Sequence, residues 1–328
     1  IELENQSFAT FVRSPHAHAE IKSVDTKEAK LMPGVLGIYT VADLKDEGIG
    51  NIPCMAPANN KDGSPCVMPP RPALADAKVR HVGDAVAIVI AETREESIDA
   101  AEQVWIDYEI LPAVVETNQA TLENSSEVWS DAKNNTCFDW EAGNKGDTNK
   151  AFTKAKQVVE LDLINNRVVP TSMEPRGATA SLEPDNRLAL HVSCQGVHVM
   201  RRLLVTQIFN VEEEEILVTC DDVGGGFGMK IFLFPEYVCV LFAARKLGRP
   251  VKWISDRSEA FLCDSHGRDH VSNLKLASWA CGCSWPPNSC CSRACSARTR
   301  STAPITRNSL STGRNSWTGS WEPPTPPC

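Results

Sequence analysis

Residues 84–91 (DAVAIVIA) form a nearly continuous apolar run, the mark of a strand buried on both faces. Thr93 and Glu96 follow at the spacing of a capping box, so a helix starts there. Its apolar side is read as Ile98, Ala101, Val104 and Trp105. Residues 104–110 then alternate apolar and polar, so a strand follows or overlaps the helix end. Upstream, Thr26 is placed to cap a short helix over 27–31 that stops at Pro33-Gly34. Residues 35–40 suit a strand, 12–21 are mixed, and 45–80 are loop-like, rich in Pro, Asn and Gly.

Residues 117–145 are polar and weakly patterned, and read as a linker. Beyond them Val159, Leu161 and Leu163 alternate with Glu160 and Asp162, which predicts a half-buried strand. Residues 179–182 and 188–193 flank the turn-rich segment 183–187, a hairpin pattern. A helix fits 197–209 and a strand fits 216–219. Pro235 suits the first turn of another helix, with Gly248 just past its end and Pro250 after it. Tyr237, Val240, Leu241, Ala244 and Leu247 give that helix its apolar side, and 251–254 returns as a strand. The expected class is α+β: one unit at 1–116, a linker at 117–145, a second unit at 146–277 and an irregular, disordered tail at 278–328.

Composition changes this picture mainly at the tail. The whole chain, 42% hydrophobic and 23% charged, is that of a globular protein. A net charge of −9 argues against a nucleic-acid partner, which requires a basic face. No apolar run approaches the roughly 20 residues of a membrane span. No leader pattern is visible, so a cytoplasmic location is expected, although the first residue is Ile1 and upstream sequence is expected to be missing. From 278 onward Glu322 is the only acidic residue, against five arginines, and the segment holds six of the thirteen cysteines. Those cysteines follow no zinc or iron–sulfur spacing. The excess of Ser, Arg, Pro, Trp and Cys is that of an out-of-frame translation, which is the expectation for this segment.

Two features carry chemistry. Gly224-Gly225-Gly226-Phe227-Gly228-Met229-Lys230 follows a strand-like segment and precedes a helix. Such a loop forms either a tight turn or a nest of N–H groups for an anion. It is not a phosphate-binding P-loop, because Lys230 is followed by Ile231, and it is not a GxGxxG fingerprint. Ser193-Cys194-Gln195-Gly196-Val197-His198 sits at a strand-to-helix junction. A Gln amide there both donates and accepts, beside helix N-terminal N–H groups; the plainer alternative is an ordinary helix start with a surface histidine.

Together and in this order, Gln195, GGGFG, RPVKWISDRSEAFL and HGRDH resemble the molybdenum-cofactor domain of large subunits of the xanthine dehydrogenase family. Residues 1–116 resemble the α/β hammerhead domain that precedes it, through FVRSPHAHAEI, MPGVLGIYT and VRHVGDAVAIVIAETREESIDAAEQVWIDYE. GGGFGMKIFLFPEYV and HGRDH look most like the bacterial carbon monoxide dehydrogenase-like branch. The resemblance implies a molybdopterin-dependent oxidoreductase that hydroxylates a small substrate with water as oxygen source. It implies cofactor contacts from Gln195, Gly196, Gly225, Gly226, Phe227 and Gly228. The metal is held by the pterin's sulfurs and by no protein side chain, with Gln195 and Phe227 lying beside it. The pterin is expected as its cytosine dinucleotide, and 2Fe-2S and FAD on partner subunits, an iron–sulfur small subunit and an FAD medium subunit, in a dimer of heterotrimers.

The family's general-base glutamate lies near its C-terminal end and has no counterpart here. The chain as written is therefore expected to be inactive, and the alternative reading is a remnant that only binds partner subunits. Some relatives carry Glu where this chain has Ile231, which favours an aldehyde, carbon monoxide or another small substrate over a purine. An apolar face of the second unit is expected to stand partly exposed.

Overall fold

The structure is a computed structural model and describes residues 1–278. The expectation of an out-of-frame tail falls, apart from Ser278, outside the described residues.

The first part of the chain contains β1 (Ser7–Arg13), β2 (Ala19–Asp25), α1 (Lys27–Lys30), β3 (Val35–Thr40), α2 (Val41–Asp46), β4 (Lys78–Val79), β5 (Ala85–Ala91), α3 (Arg94–Glu102) and β6 (Trp105–Ile110). The second part contains α4 (Lys145–Lys154), β7 (Gln157–Asn165), β8 (Gly177–Leu182), β9 (Leu188–Val192), α5 (Val197–Leu203), β10 (Ile216–Thr219), α6 (Pro235–Leu247), β11 (Val251–Ile254), α7 (Arg257–Cys263) and β12 (His270–Ser278). Seven strands form one sheet in the order β10-β9-β8-β11-β1-β5-β3. A smaller sheet runs β4-β2-β6, and β12 pairs with β7 as a ribbon.

The large sheet draws on both parts of the chain. β1 lies parallel to β11, with Ser7 opposite Val251, and Ser7 N donates to Pro250 O at 2.8 Å. β5 is buried along its whole length, as its apolar run predicts. α6 covers the sheet and is buried on every side from Pro235 to Ala244, not along one stripe. Pro235 occupies its first turn, and Gly248 ends it at φ 65°, a left-handed value that glycine takes without strain. The Thr93–Glu96 capping box forms as read from the sequence.

Several expectations are corrected. α3 buries Ser97 and Ala100; Val104 follows the helix and Trp105 stands exposed on β6. Thr26 holds the N-cap position of α1 but its side chain makes no cap bond; Asp25 Oδ1 instead accepts from Lys27 N at 3.0 Å. The helix over 197–209 is α-helical only to Leu203, and Leu204–Phe209 is a π turn. Thr206 Oγ1 donates to Arg202 O at 2.9 Å, taking a carbonyl from the regular ladder, and Asn210 closes the turn in the left-handed region. β7 is exposed at all nine positions, so its alternation marks an uncovered apolar row and not a half-buried strand. Segment 117–145 carries one 3-10 turn, Lys133–Asn135, pinned by the buried Asn135 side chain. That side chain accepts from Val128 N and donates to Ala120 O and Ser126 O. Among the described residues no helix is long and apolar enough to cross a membrane.

Candidate functional site

β9 and β10 lie side by side and parallel, with His191 opposite Thr219. Two chain segments therefore leave the sheet at the same, carboxyl end, the usual place for a ligand in parallel sheets. One carries Gln195 and the other carries the glycine loop. Cys220 joins the two exits: Cys194 N donates to its Sγ at 3.4 Å, and that Sγ donates to Cys194 O at 3.3 Å.

The structure brings Gln195 and the loop into contact. A Cβ built on Gly226 would lie 2.5 Å from both Cδ and Oε1 of Gln195, so any side chain there would push the Gln195 amide from its position. Gln195 N also donates to Lys230 O at 3.0 Å. Gly225 and Gly228 adopt φ of 101° and 81°. Phe227 between them sits at φ 50°, a backbone costing about 1–2 kcal/mol for a residue with a side chain, and its ring is 75% exposed. Nothing lies within 4 Å of a Cβ placed on Gly228, so that side of the loop faces open space. A strained, exposed backbone beside a side-chain amide leaves peptide planes open to a ligand that could approach them. Gly196 begins α5 with an extended φ of −172°, and its nearest neighbour to an added Cβ is Ile231 at 3.8 Å. Nothing in its surroundings requires glycine.

A carboxylate missed at the sequence level holds the loop. Glu174 Oε2 accepts from Gly224 N at 2.7 Å, Ser193 Oγ at 2.7 Å and Lys230 Nζ at 2.8 Å. Glu174 N returns a bond to Gly224 O at 3.1 Å. One oxygen thus ties both ends of the glycine loop to the residue two before Gln195. Burial pushes the Glu174 carboxyl up, but donation from Lys230, Ser193 and Gly224 outweighs it and holds the carboxyl below its usual range. The Lys230 side chain is fully buried, so its ammonium serves the fold and is not presented to a ligand.

Behind the site lies a second set of buried charges. Arg176 donates to Asp264 Oδ1 at 2.6 Å and Glu236 Oε2 at 2.8 Å, and stacks 3.7 Å above the Phe234 ring. Arg13 of β1 reaches Glu236 Oε1 at 2.9 Å and Glu259 Oε1 at 2.7 Å. The set links β1, α6 and α7 with the residue just ahead of β8. Burial pushes the Glu236 carboxyl up, yet Arg176 and Arg13 hold it down at about 2.

The chain is similar to known proteins over most of its length. Residues 1–112 match the aldehyde oxidase and xanthine dehydrogenase a/b hammerhead domain, and residues 128–282 match the molybdopterin cofactor-binding domain. The carbon monoxide dehydrogenase large chain of Afipia carboxidovorans is 36% identical over 291 residues, 84% of this chain and 34% of that protein. The nicotine 6-hydroxylase large subunit of Paenarthrobacter nicotinovorans is 33% identical over 283 residues, 86% of this chain and 34% of that protein. The solved structure of reconstituted CO dehydrogenase from Oligotropha carboxidovorans superposes with a TM-score of 0.77 at 35% identity, over 85% of this chain and 35% of that one. The chain spans about a third of the length of these relatives.

Proposed function

The chain belongs to the xanthine dehydrogenase and aldehyde oxidase family of molybdopterin-dependent oxidoreductases, and from that premise we propose that it is the cofactor-cradling part of a molybdenum hydroxylase large subunit. The observation that carries the proposal is the contact between the Gln195 side chain and Gly226 in a strained, outward-facing loop.

Gly226, Phe227 and Gly228 offer backbone to a flat pterin system, and Gln195 offers one donor and one acceptor beside it. The contact with Gly226 limits where that amide swings, so it stays aimed at one side of the loop. Glu174 keeps the loop at that distance by holding Gly224 and Lys230 on one oxygen. These groups orient and do not themselves bond a metal, which suits a centre held by the cofactor's own sulfurs. When bound, the molybdenum cofactor supplies the two-electron oxidation of a substrate carbon with oxygen drawn from water.

The substrate is a small molecule: an aldehyde, carbon monoxide or an N-heterocycle. The electrons pass to 2Fe-2S clusters and FAD on an iron–sulfur small subunit and an FAD medium subunit, in a dimer of heterotrimers. The pterin carries a cytosine nucleotide, and the complex works in the cytoplasm. The test is turnover of the full-length gene product, co-purified with its partners, in heavy-oxygen water with an aldehyde and an artificial electron acceptor. The proposal expects label in the carboxylate product beyond the level of spontaneous exchange. Product without that excess contradicts it.

A further inference from the structure

A cavity of about 540 Å³ opens between the segment 51–71 and Phe232 and Leu233, which follow the glycine loop. Met55, Met68 and Pro69 make much of its remaining wall, so it is mostly apolar. Its size lies in the range of small-molecule sites, about 300–1,000 Å³. One cation, Arg71, lines it.

Among the described residues the Arg71 side chain has no counter-ion in contact. Its Nε is shut off from solvent with no acceptor, and among the described residues it enters no salt bridge. The carboxylate whose field reaches it, Glu236, has both oxygens engaged, Oε1 by Arg13 and Oε2 by Arg176. Burial and the neighbouring Arg176 pull the Arg71 guanidinium down to about 10 against the pull of Glu236, so it stays charged at neutral pH. An unpaired guanidinium facing an apolar cavity is costly unless an anion joins it.

We propose that this cavity binds a small organic carboxylate, its charged end on Arg71 and its apolar body against Met68, Phe232 and Leu233. The flat guanidinium fork matches a carboxylate in two parallel hydrogen bonds. A single cation among apolar walls is poorly suited to phosphate, which needs several donors. Asn51 and Gln207, also at the wall, give further hydrogen-bonding groups.

The test is calorimetric titration of the full chain with benzoate and with neutral, similarly shaped benzamide, at low and high salt. Benzoate is expected to bind at least about tenfold more tightly than benzamide and to weaken with salt. Arg71→Gln is expected to cost benzoate about tenfold or more in affinity and to leave benzamide unchanged. Met68→Trp, which fills the cavity and keeps Arg71, is expected to abolish benzoate binding, and it decides the matter if Arg71→Gln does not fold. The proposal is overturned if benzoate does not bind, if it binds no better than benzamide, or if both variants keep full affinity.

Discussion

The side chain of Gln195 rests against the backbone of Gly226, although thirty-one positions separate them in sequence. Two adjacent parallel strands, β9 and β10, deliver them to one end of the sheet. Neither residue is unusual alone, and the pairing is what the proposed site rests on.

The two outer glycines of the tight part of the loop are required for different reasons. Gly226 leaves room for the Gln195 side chain where it now lies, and Gly228 supplies a left-handed backbone angle. Gly226→Ala is expected to displace Gln195 and to lower pterin content in the purified full-length protein about tenfold. Gly228→Ala meets no neighbour; it is expected to cost about 1–2 kcal/mol of stability and to keep most of the pterin. Fluorescence of the released, oxidised pterin reads both. Equal pterin loss in the two variants contradicts the distinction.

Glu174 and Lys230 are expected to behave as a coupled pair. Glu174→Ala leaves a buried ammonium whose hydrogen-bond partner among the described residues is Ser193 alone, and a loss of about 3 kcal/mol is expected in urea unfolding. Adding Lys230→Met removes the stranded charge and is expected to restore part of that loss. Additive effects in the double-mutant cycle contradict the clamp.

Where neighbours in sequence decide the outcome, the elements were legible. α6 follows from Pro235 and Gly248, α3 begins at its capping box, and the β8–β9 hairpin turns through Asn186 at φ 65°. β5 follows from its unbroken apolar run. β1 was not legible, because SFATFVR becomes a strand by pairing with β5 and with β11, which lies far along the chain. The same holds for the charges. Glu, Lys and Arg are ordinarily exposed. The burial of Lys230, Arg176 and Glu236 rests on charged partners 56 to 223 positions away. β7 shows the opposite failure: its alternation is real, but no described element covers its apolar row. In the site, Gln195 and the glycine loop were legible as motifs and through the family resemblance, while Glu174 carried no local signal.

The buried charges set an acid limit on stability. The Glu236 carboxyl sits at about 2 in the fold and near 4.3 in an unfolded chain. A carboxyl lowered by folding stabilises above its unfolded value and loses that contribution as pH falls through its folded value. The window runs from about pH 4 down to about pH 2, and the contribution is about 3 kcal/mol. Urea midpoints across that window are expected to fall with pH. Glu236→Gln is expected to flatten that dependence and to destabilise at neutral pH by about 3–5 kcal/mol, since Arg176 loses a buried partner. A variant as pH-sensitive as the parent contradicts the assignment.

Residue Phe227 holds backbone strain, at φ 50° with its ring exposed. Phe227→Gly is expected to raise the stability of the protein without cofactor by about 1 kcal/mol, because glycine takes φ 50° freely and the ring is already exposed. Thermal unfolding reads the change. A destabilised Phe227→Gly variant shows that the ring packs in a way that the structure does not contain.

The central claim is that Gln195 and the glycine loop cradle a molybdenum-bearing pterin. The most direct measurement is elemental analysis for molybdenum, with pterin quantified in the same sample, on the full-length gene product purified with its partner subunits. Equimolar molybdenum and pterin, both lowered about tenfold on Gly226→Ala while the fold persists, are the predicted result. A folded complex holding neither molybdenum nor pterin contradicts the account.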